Sequence, residues 1–489
     1  MISSPEKVFV NDARVGAYPS QPPYHPDTAY PEYRGEIGPR NPVYAAVRDT
    51  LLMMALDPEN EGTPRWNPLK TIVRPGDRVV LKPNLLSHIN KNRHGSRECV
   101  ITHGSVIRAV LDYVLLALEG RGEVRIADGP QFDADWSAII SFTGLDRILE
   151  YCESSHGSIP VRAIDLRPEL WPDVRDGVIG ARLSLPGDPA GTQAIDVGRW
   201  SAFGGASGPR RFHGSDYDET ETNRYHERGV HEYLLSRTCT GADVLVNIPK
   251  LKTHKKVGVT LCLKNLVGIN AGRNRLPHYT NGFPRDGGDE FPDPTGRRTL
   301  ERIGIRTFER SMLKYPGIVA PLFRASKRAG RYLFGDTRRV IRTGNWHGND
   351  TCWRMVHDIN ACLLYSDGVV FPAPRAKRYL AVVDGIVGGE GDGPEAPEPV
   401  EAGLVVAGLN PVAVDSVSAW MMGFDPLKLA VIRNAFDRRE LPLAGFAYDD
   451  ISVISNNPDL GGMLRRLDPA RALRFKPHFG WAGHVELEP

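Results

Sequence analysis

Short apolar runs rich in β-branched residues alternate with amphipathic helical stretches in the first third of the chain, and this alternation restricts the fold most. After the turn Arg74–Asp77, Arg78–Leu86 (RVVLKPNLL) reads as a strand that breaks at Pro83. Val106–Leu118 fits a helix, Glu123–Ala127 a second strand, Trp136–Cys152 a further helix and Pro160–Asp165 a third strand. Parallel neighbours need a long crossover, so strands separated by helices form βαβ units. The expected class is α/β: a mainly parallel sheet with flanking helices, a large insertion and room for two lobes.

The remaining elements are spaced more widely. Gly16–Tyr44 is rich in Pro and Tyr without periodicity, which suits an extended arm over the main body, and Tyr44–Leu56 reads as a short helix. Gly180–Ser207 suggests short strands of a side β-structure, and Arg224–Arg237 a helix. Asn270–Asn345 is a long insertion, Gly/Pro/Asp-rich at first, then basic and helical. Trp353, Val356, Ile359, Leu363 and Leu364 recur at helical spacing across Thr351–Tyr365. Strands follow at Tyr379–Asp384 and Gly403–Ala407, and a helix at Val412–Met422. The expected division is an arm at 1–45, a main α/β domain at 46–430 with its insertion near 270–345, and a C-terminal extension at 431–489.

With 61 basic and 59 acidic side chains the net charge is +2, so no global field recruits nucleic acid or an anionic membrane. The basic run Arg324–Arg342 is read as a solvated helix face. The longest apolar stretch, near Val110–Leu118, is interrupted by Asp112 and too short to span a bilayer, and no signal pattern opens the chain. A cytoplasmic, soluble protein is expected. Six cysteines form no CxxC pair, which argues against an iron–sulfur module, a zinc ribbon or a thioredoxin-type site.

The chemistry concentrates in Pro249–Gly268 (PKLKTHKKVGVTLCLKNLVG), five lysines and a histidine placed after the strand-like run Gly241–Ile248. Strand ends of open α/β sheets are where ligands bind. If extended, Lys250, Lys252 and His254 fall on one side with period two and suit an anion; His254 can also ligate a metal or act as general base. Lys264 stands among Val259, Leu261, Cys262, Leu263, Leu266 and Val267. Desolvation in such company lowers an amine's pKa and makes it a candidate base, nucleophile or anion clamp. Asn265 beside it suits holding the ammonium or orienting a carbonyl.

Lys82 and Asn84 flank Pro83 at the end of the first strand, and Asp128 follows the second on the same rim. A solvated lysine and plain turn chemistry are the alternatives there. Arg273, Arg275 and His278 lie in a Gly/Asn-rich loop that suits a lid. Asp384 ends a strand ahead of Gly385–Pro394 (GIVGGEGDGP), a loop whose amides can approach an anion. Asp384 and Asp392 together can bind a divalent cation. Within Trp346–Asp358, Asp350 suits a helix N-cap and Asp358 an ion pair with Arg354. Neither GxSxG, HExxH nor a Walker sequence occurs.

Four blocks in order resemble the domain-of-unknown-function family 362: VVLKPNL (Val79–Leu85), ADVLVNIPKLKTH…TLCLKNLVG (Ala242–Gly268), AVVDGI…GDGP (Ala381–Pro394) and GLNPVAVDSVSAWMMG (Gly408–Gly423). Some members carry ferredoxin-type cysteine clusters, from which this chain departs. A second, more distant likeness lies in one segment. His254, Lys264 and His278, ten and fourteen residues apart, look like the layout of the nickel-pincer lactate racemase family. There a lysine carries the cofactor, histidines bind metal or move protons, and two α/β lobes flank the site. The glycine-rich setting of that family's lysine is absent here, and Asp128 sits near the place of its other catalytic histidine.

The expectation is an enzyme acting on a small anionic or polyhydroxy substrate, such as a sugar derivative or hydroxy acid. Lys82, Asn84, Asp128, Lys250, Lys252, Asn265 and His278 would bind it. Lys264 or His254 would move a proton, with Asp384 steadying the lysine or a metal, and the racemase-like spacing implies an isomerase or epimerase. The cofactor stays open, a divalent metal or metal-containing cofactor being candidates and an iron–sulfur cluster not. The alternative is a non-catalytic binding or accessory protein for an anionic metabolite or glycan precursor. Neither membrane nor nucleic acid is an expected partner, and the oligomeric state is left open.

Overall fold

The computed structural model describes residues 4–92, 95–155, 157–172, 174–175, 178–179, 181–204, 211–315, 319, 322, 325, 340–373 and 377–488. Most of the basic run at 324–342 lies outside them. The strands of the main sheet are β1 (Lys7–Asp12), β2 (Arg78–Pro83), β3 (Glu123–Asp128), β4 (Val161–Asp165), β5 (Val244–Ile248), β6 (Lys250–His254), β7 (Gly258–Thr260), β8 (Arg378–Asp392), β9 (Ala396–Gly408), β10 (Ser452–Ser455) and β11 (Gly462–Met463). Their order is β11-β10-β1-β9-β8-β5-β2-β3-β4, with β6 joined to β8 and to β7. The sheet is mixed and mainly parallel: β8, β5, β2, β3 and β4 run together, while β9 lies antiparallel between β8 and β1. The fold is α/β.

Side chains alternate between two cores, as the pleat requires. Val79, Leu81, Val244 and Val246 pack under α1 (Pro42–Met53), α2 (Gly104–Leu118), α3 (Trp136–Thr143) and α4 (Leu145–Ser155). Val80, Leu245, Ala381 and Val383 face the other way. There they meet the one-turn helix α5 (Cys262–Asn265), α7 (Cys352–Leu364) and α8 (Pro411–Met421), whereas α6 (Gly296–Lys314) lies in the insertion. Strands covered on both faces read as continuous apolar runs, which is why they were visible in the sequence.

Several expectations need correction. Trp136–Cys152 is two helices, broken where Gly144 turns left-handed at φ +66. Arg224–Arg237 holds the end of a short helix (Glu219–Arg224), then the strand Glu232–Ser236, which pairs with Thr192–Asp196; Gly229 at φ +81 stops any helix between them. Gly385–Pro394 is no anion loop, since β8 continues through it to Asp392, paired with β9 across a register shift between Gly385 and Val387. Its glycines serve close approach: a Cβ at Gly389 would stand 2.7 Å from the Cys99 carbonyl and 3.1 Å from Lys252 Cβ. Both chain ends feed the sheet, because β1 lies between β9 and β10.

Candidate functional site

The chain runs from β2 to β3 and β4 on one side, whereas β5 and β8 extend the sheet on the other. The carboxyl ends of β2 and β5 therefore flank a topological switch point, where open α/β sheets leave a crevice. A cavity of about 530 Å³ opens there, lined among others by Asn84, Asp128, Lys252, His254, Lys255, Lys256, Lys264, Asn265 and His278.

Its floor is a closed polar network. Lys82, fully buried, pairs with Asp128 Oδ1 at 2.7 Å and donates to the Pro83 carbonyl at 2.9 Å. Asp128 Oδ2 accepts the Leu85 amide at 2.6 Å. Asn265 donates to the Lys82 carbonyl and Asn247 Oδ1, and its own Oδ1 accepts from Asn84 at 2.9 Å, so it stitches β2, β5 and α5 together. Gly268 closes over this network, for a Cβ there would lie 2.2 Å from Asp128 Oδ1. A second pair, Lys250 with Asp384 Oδ2 at 3.0 Å, is wholly buried. Tyr18 of the N-terminal arm donates to Asp384 Oδ1 and accepts from Lys250, both at 2.5 Å, and the His103 amide takes the remaining contact.

Lys82, Lys250 and Asp384 thus do not line the cavity. The pairing of β6 with β8 shifts register between Lys250 and Lys252, which separates the two lysines. Asp384 does not steady Lys264 or a metal, because its oxygens are already committed.

The walls hold the reactive groups. Lys252 donates to Asn84 Oδ1 at 2.8 Å and to the Val100 carbonyl, and burial pulls its pKa down to about 7. Lys256 donates to the Thr343 carbonyl and lies 4.8 Å over the Tyr279 ring; burial brings it to about 8. Lys264 is half-buried, and among the described residues its Nζ makes no hydrogen bond or ion pair. Burial lowers its pKa, with Lys82 and Lys255 adding to the effect. α5 carries it, and Asp415 of α8 caps that turn by accepting the Cys262 and Leu263 amides at 2.7 and 3.0 Å.

The two imidazoles have opposite roles, fixed by their partners. His254 Nδ1 accepts the Lys256 amide at 3.0 Å, so the neutral ring carries its proton on Nε2 and is a donor. His278 Nδ1 lies 2.8 Å from the Leu276 carbonyl and must carry the proton, leaving a lone pair on Nε2. Burial holds both rings neutral, His254 well below the usual range and His278 at about 3. At the mouth, Glu395 bridges Lys255 and Lys91, each at 3.0 Å, and their charges keep its carboxyl well below the usual range. Among the described residues no three His, Cys, Asp or Glu side chains come together to hold a metal. With His254 Nε2 protonated, the donor set does not fit a metal held by the protein alone.

The sequence passed over Lys256 and Glu395 as site residues, although Lys256 belongs to the same basic motif. Tyr18 gave no signal, since an arm residue meets Asp384 only across 366 positions of chain.

Residues 196–420 match the family described as Domain of unknown function (DUF362). That stretch of the chain is similar to DUF362 domains. That span holds β5 to β7, α5 and Asp415, whereas Lys82, Asn84 and Asp128 precede it. A thylakoid-associated protein of Synechocystis sp. is 29% identical over 201 residues, 41% of each chain. The chain therefore spans about two fifths of that relative's length. No solved structure matches. No helix among the described residues is long and apolar enough to cross a membrane.

Proposed function

We propose that the cavity is the active site of an enzyme that moves a proton on a small anionic hydroxy acid or sugar derivative, as an isomerase or epimerase does. The observation that carries this reading is Lys264, an amine with lowered pKa and no partner among the described residues, in a cavity shared with one donor and one acceptor imidazole. Lys252 and Lys256 hold the substrate's anionic group. Lys264 Nζ takes the proton next to a carbonyl or carboxylate, breaking a C–H bond, and the electron pair moves onto the oxygen. His254 Nε2–H donates to that oxygen, a role suited to a neutral imidazole. His278 Nε2 accepts the hydrogen of a substrate hydroxyl. Return of the proton to the other face, or to the neighbouring carbon, gives the isomer. The reading keeps the protein in the cytoplasm, working on a dissolved metabolite.

The test is deuterium wash-in. Hydroxy acids and sugar acids are incubated with the protein in heavy water and their C–H signals followed by NMR. Loss of a signal that Lys264→Met abolishes supports the enzyme. Binding without wash-in for any of them turns the reading to a non-catalytic carrier of the same ligand.

A further inference from the structure

The charge balance of the cavity wall bears on what fills it. Every carboxylate described on that wall is met by a cation. Asp128 pairs with Lys82, Asp133 with Lys91, Glu395 with Lys91 and Lys255, Asp216 with Arg182, and Glu309 with Arg306. Arg167 is taken by Asp165 at 2.7 Å. Lys252, Lys256 and Lys264 remain, and none of them makes an ion pair among the described residues. Asp289 and Glu290 act on Lys256 electrostatically, but their oxygens are engaged elsewhere. Asp289 accepts the amides of Thr280, Asp350 and Thr351, and Glu290 faces Arg306 and the Gly282 amide.

Among the described residues these amines have no counter-charge, so the protons carried by Lys252 and Lys256 repel each other and suffer desolvation. A single negative charge leaves one of the two unmatched. We infer that the ligand of this cavity is a dianion, its two negative charges set against the ammonium groups of Lys252 and Lys256, while Lys264 stays the neutral base. This rests on the cavity being the working site. A dicarboxylate and a phosphate monoester share this chemistry. An anion raises the pKa of an amine beside it, so the dianion arrives with proton uptake by Lys252 and Lys256, which stand at about 7 and about 8 in the free protein. Binding consequently weakens as pH rises above neutrality.

The experiment is isothermal titration calorimetry of the full chain with malonate, inorganic phosphate and acetate at constant ionic strength. Malonate or phosphate is expected to bind at least about tenfold more tightly than acetate, a gap of about 1.4 kcal/mol. Proton uptake near pH 8 should appear as a difference in heat between two buffers, in line with Lys256 at about 8. Lys256→Met should erase the preference by weakening malonate and phosphate more than acetate; Lys256→Gln serves where the Met variant misfolds. Tighter malonate than phosphate identifies a dicarboxylate, and the reverse a phosphoryl group. Equal affinity for acetate and the dianions, abolished by Lys252→Met, overturns the dianion and leaves the site standing. No binding of any of the three, or binding untouched by both Lys252→Met and Lys256→Met, overturns the site as well.

Discussion

Lys264 and Lys82 are both lysines in apolar surroundings, yet removing them should have opposite consequences. Among the described residues Lys264 has no partner to strand, so Lys264→Met should change stability by no more than about 1 kcal/mol. The same substitution should cut proton exchange by about 100-fold or more. Urea unfolding and deuterium wash-in on one preparation separate the two effects. Lys82→Met leaves Asp128 charged and buried with its ion pair gone, which costs about 3–5 kcal/mol. The double variant Lys82→Met/Asp128→Asn should recover part of that loss. If the single and double variants unfold at the same urea concentration, the pair does not carry the floor of the cavity.

At the scale of elements, α5 is a single turn and cannot hold itself together, because a one-turn helix satisfies almost none of its own amides. It stands because α8 lends it Asp415. Asp415→Ala orphans the Cys262 and Leu263 amides and should cost about 1–2 kcal/mol. Hydrogen exchange at those two amides should quicken more than in α7, and Lys264 should lose its function without being touched. An unchanged exchange rate would show that packing, not the carboxylate, positions the turn. Asp415 itself is pushed up to about 7 by burial, so the cap carries its full charge only above neutrality.

Across the whole molecule, burial sets the pH dependence of stability. His103, His226, His278 and His357 are held down to about 3. Below about 6.5 the unfolded chain takes up protons that these rings refuse, so stability falls as pH falls from there toward 3. Asp289, raised to about 6, and Asp415 oppose that slope, since their unfolded counterparts ionise first. Lys252 adds a gain on the alkaline side. Its folded pKa of about 7 lies below the unfolded value of about 10.4, so stability rises with pH between the two. Cys152 and Cys239, pushed up to about 12, reverse the trend above about 8.5, where the unfolded thiols ionise. The urea midpoint should therefore peak slightly above neutral pH, and Lys252→Met should flatten the rise just above pH 7, before Lys256 and Lys377, each at about 8, add theirs. A rise there that survives in the variant would assign it to another group.

Composition and periodicity determined the class of this protein. Strands buried on both faces, such as Val244–Ile248, must be apolar throughout, and crossover helices such as Gly104–Leu118 must be amphipathic, so both leave a local pattern. The same logic marked Lys264, whose charge conflicts with its neighbours in the chain. What a side chain meets across the fold leaves no such trace. Lys250 and Lys252 are two residues apart, but a shift in strand register sends one to Asp384 and Tyr18 and the other to the cavity. The glycines of Gly385–Pro394 carry the composition of an anion loop, yet they are spent on the close approach of β6 and the Cys99 turn. Which histidine donates and which accepts was likewise decided by tertiary structure, because a tautomer follows from the backbone atom that the other ring nitrogen meets.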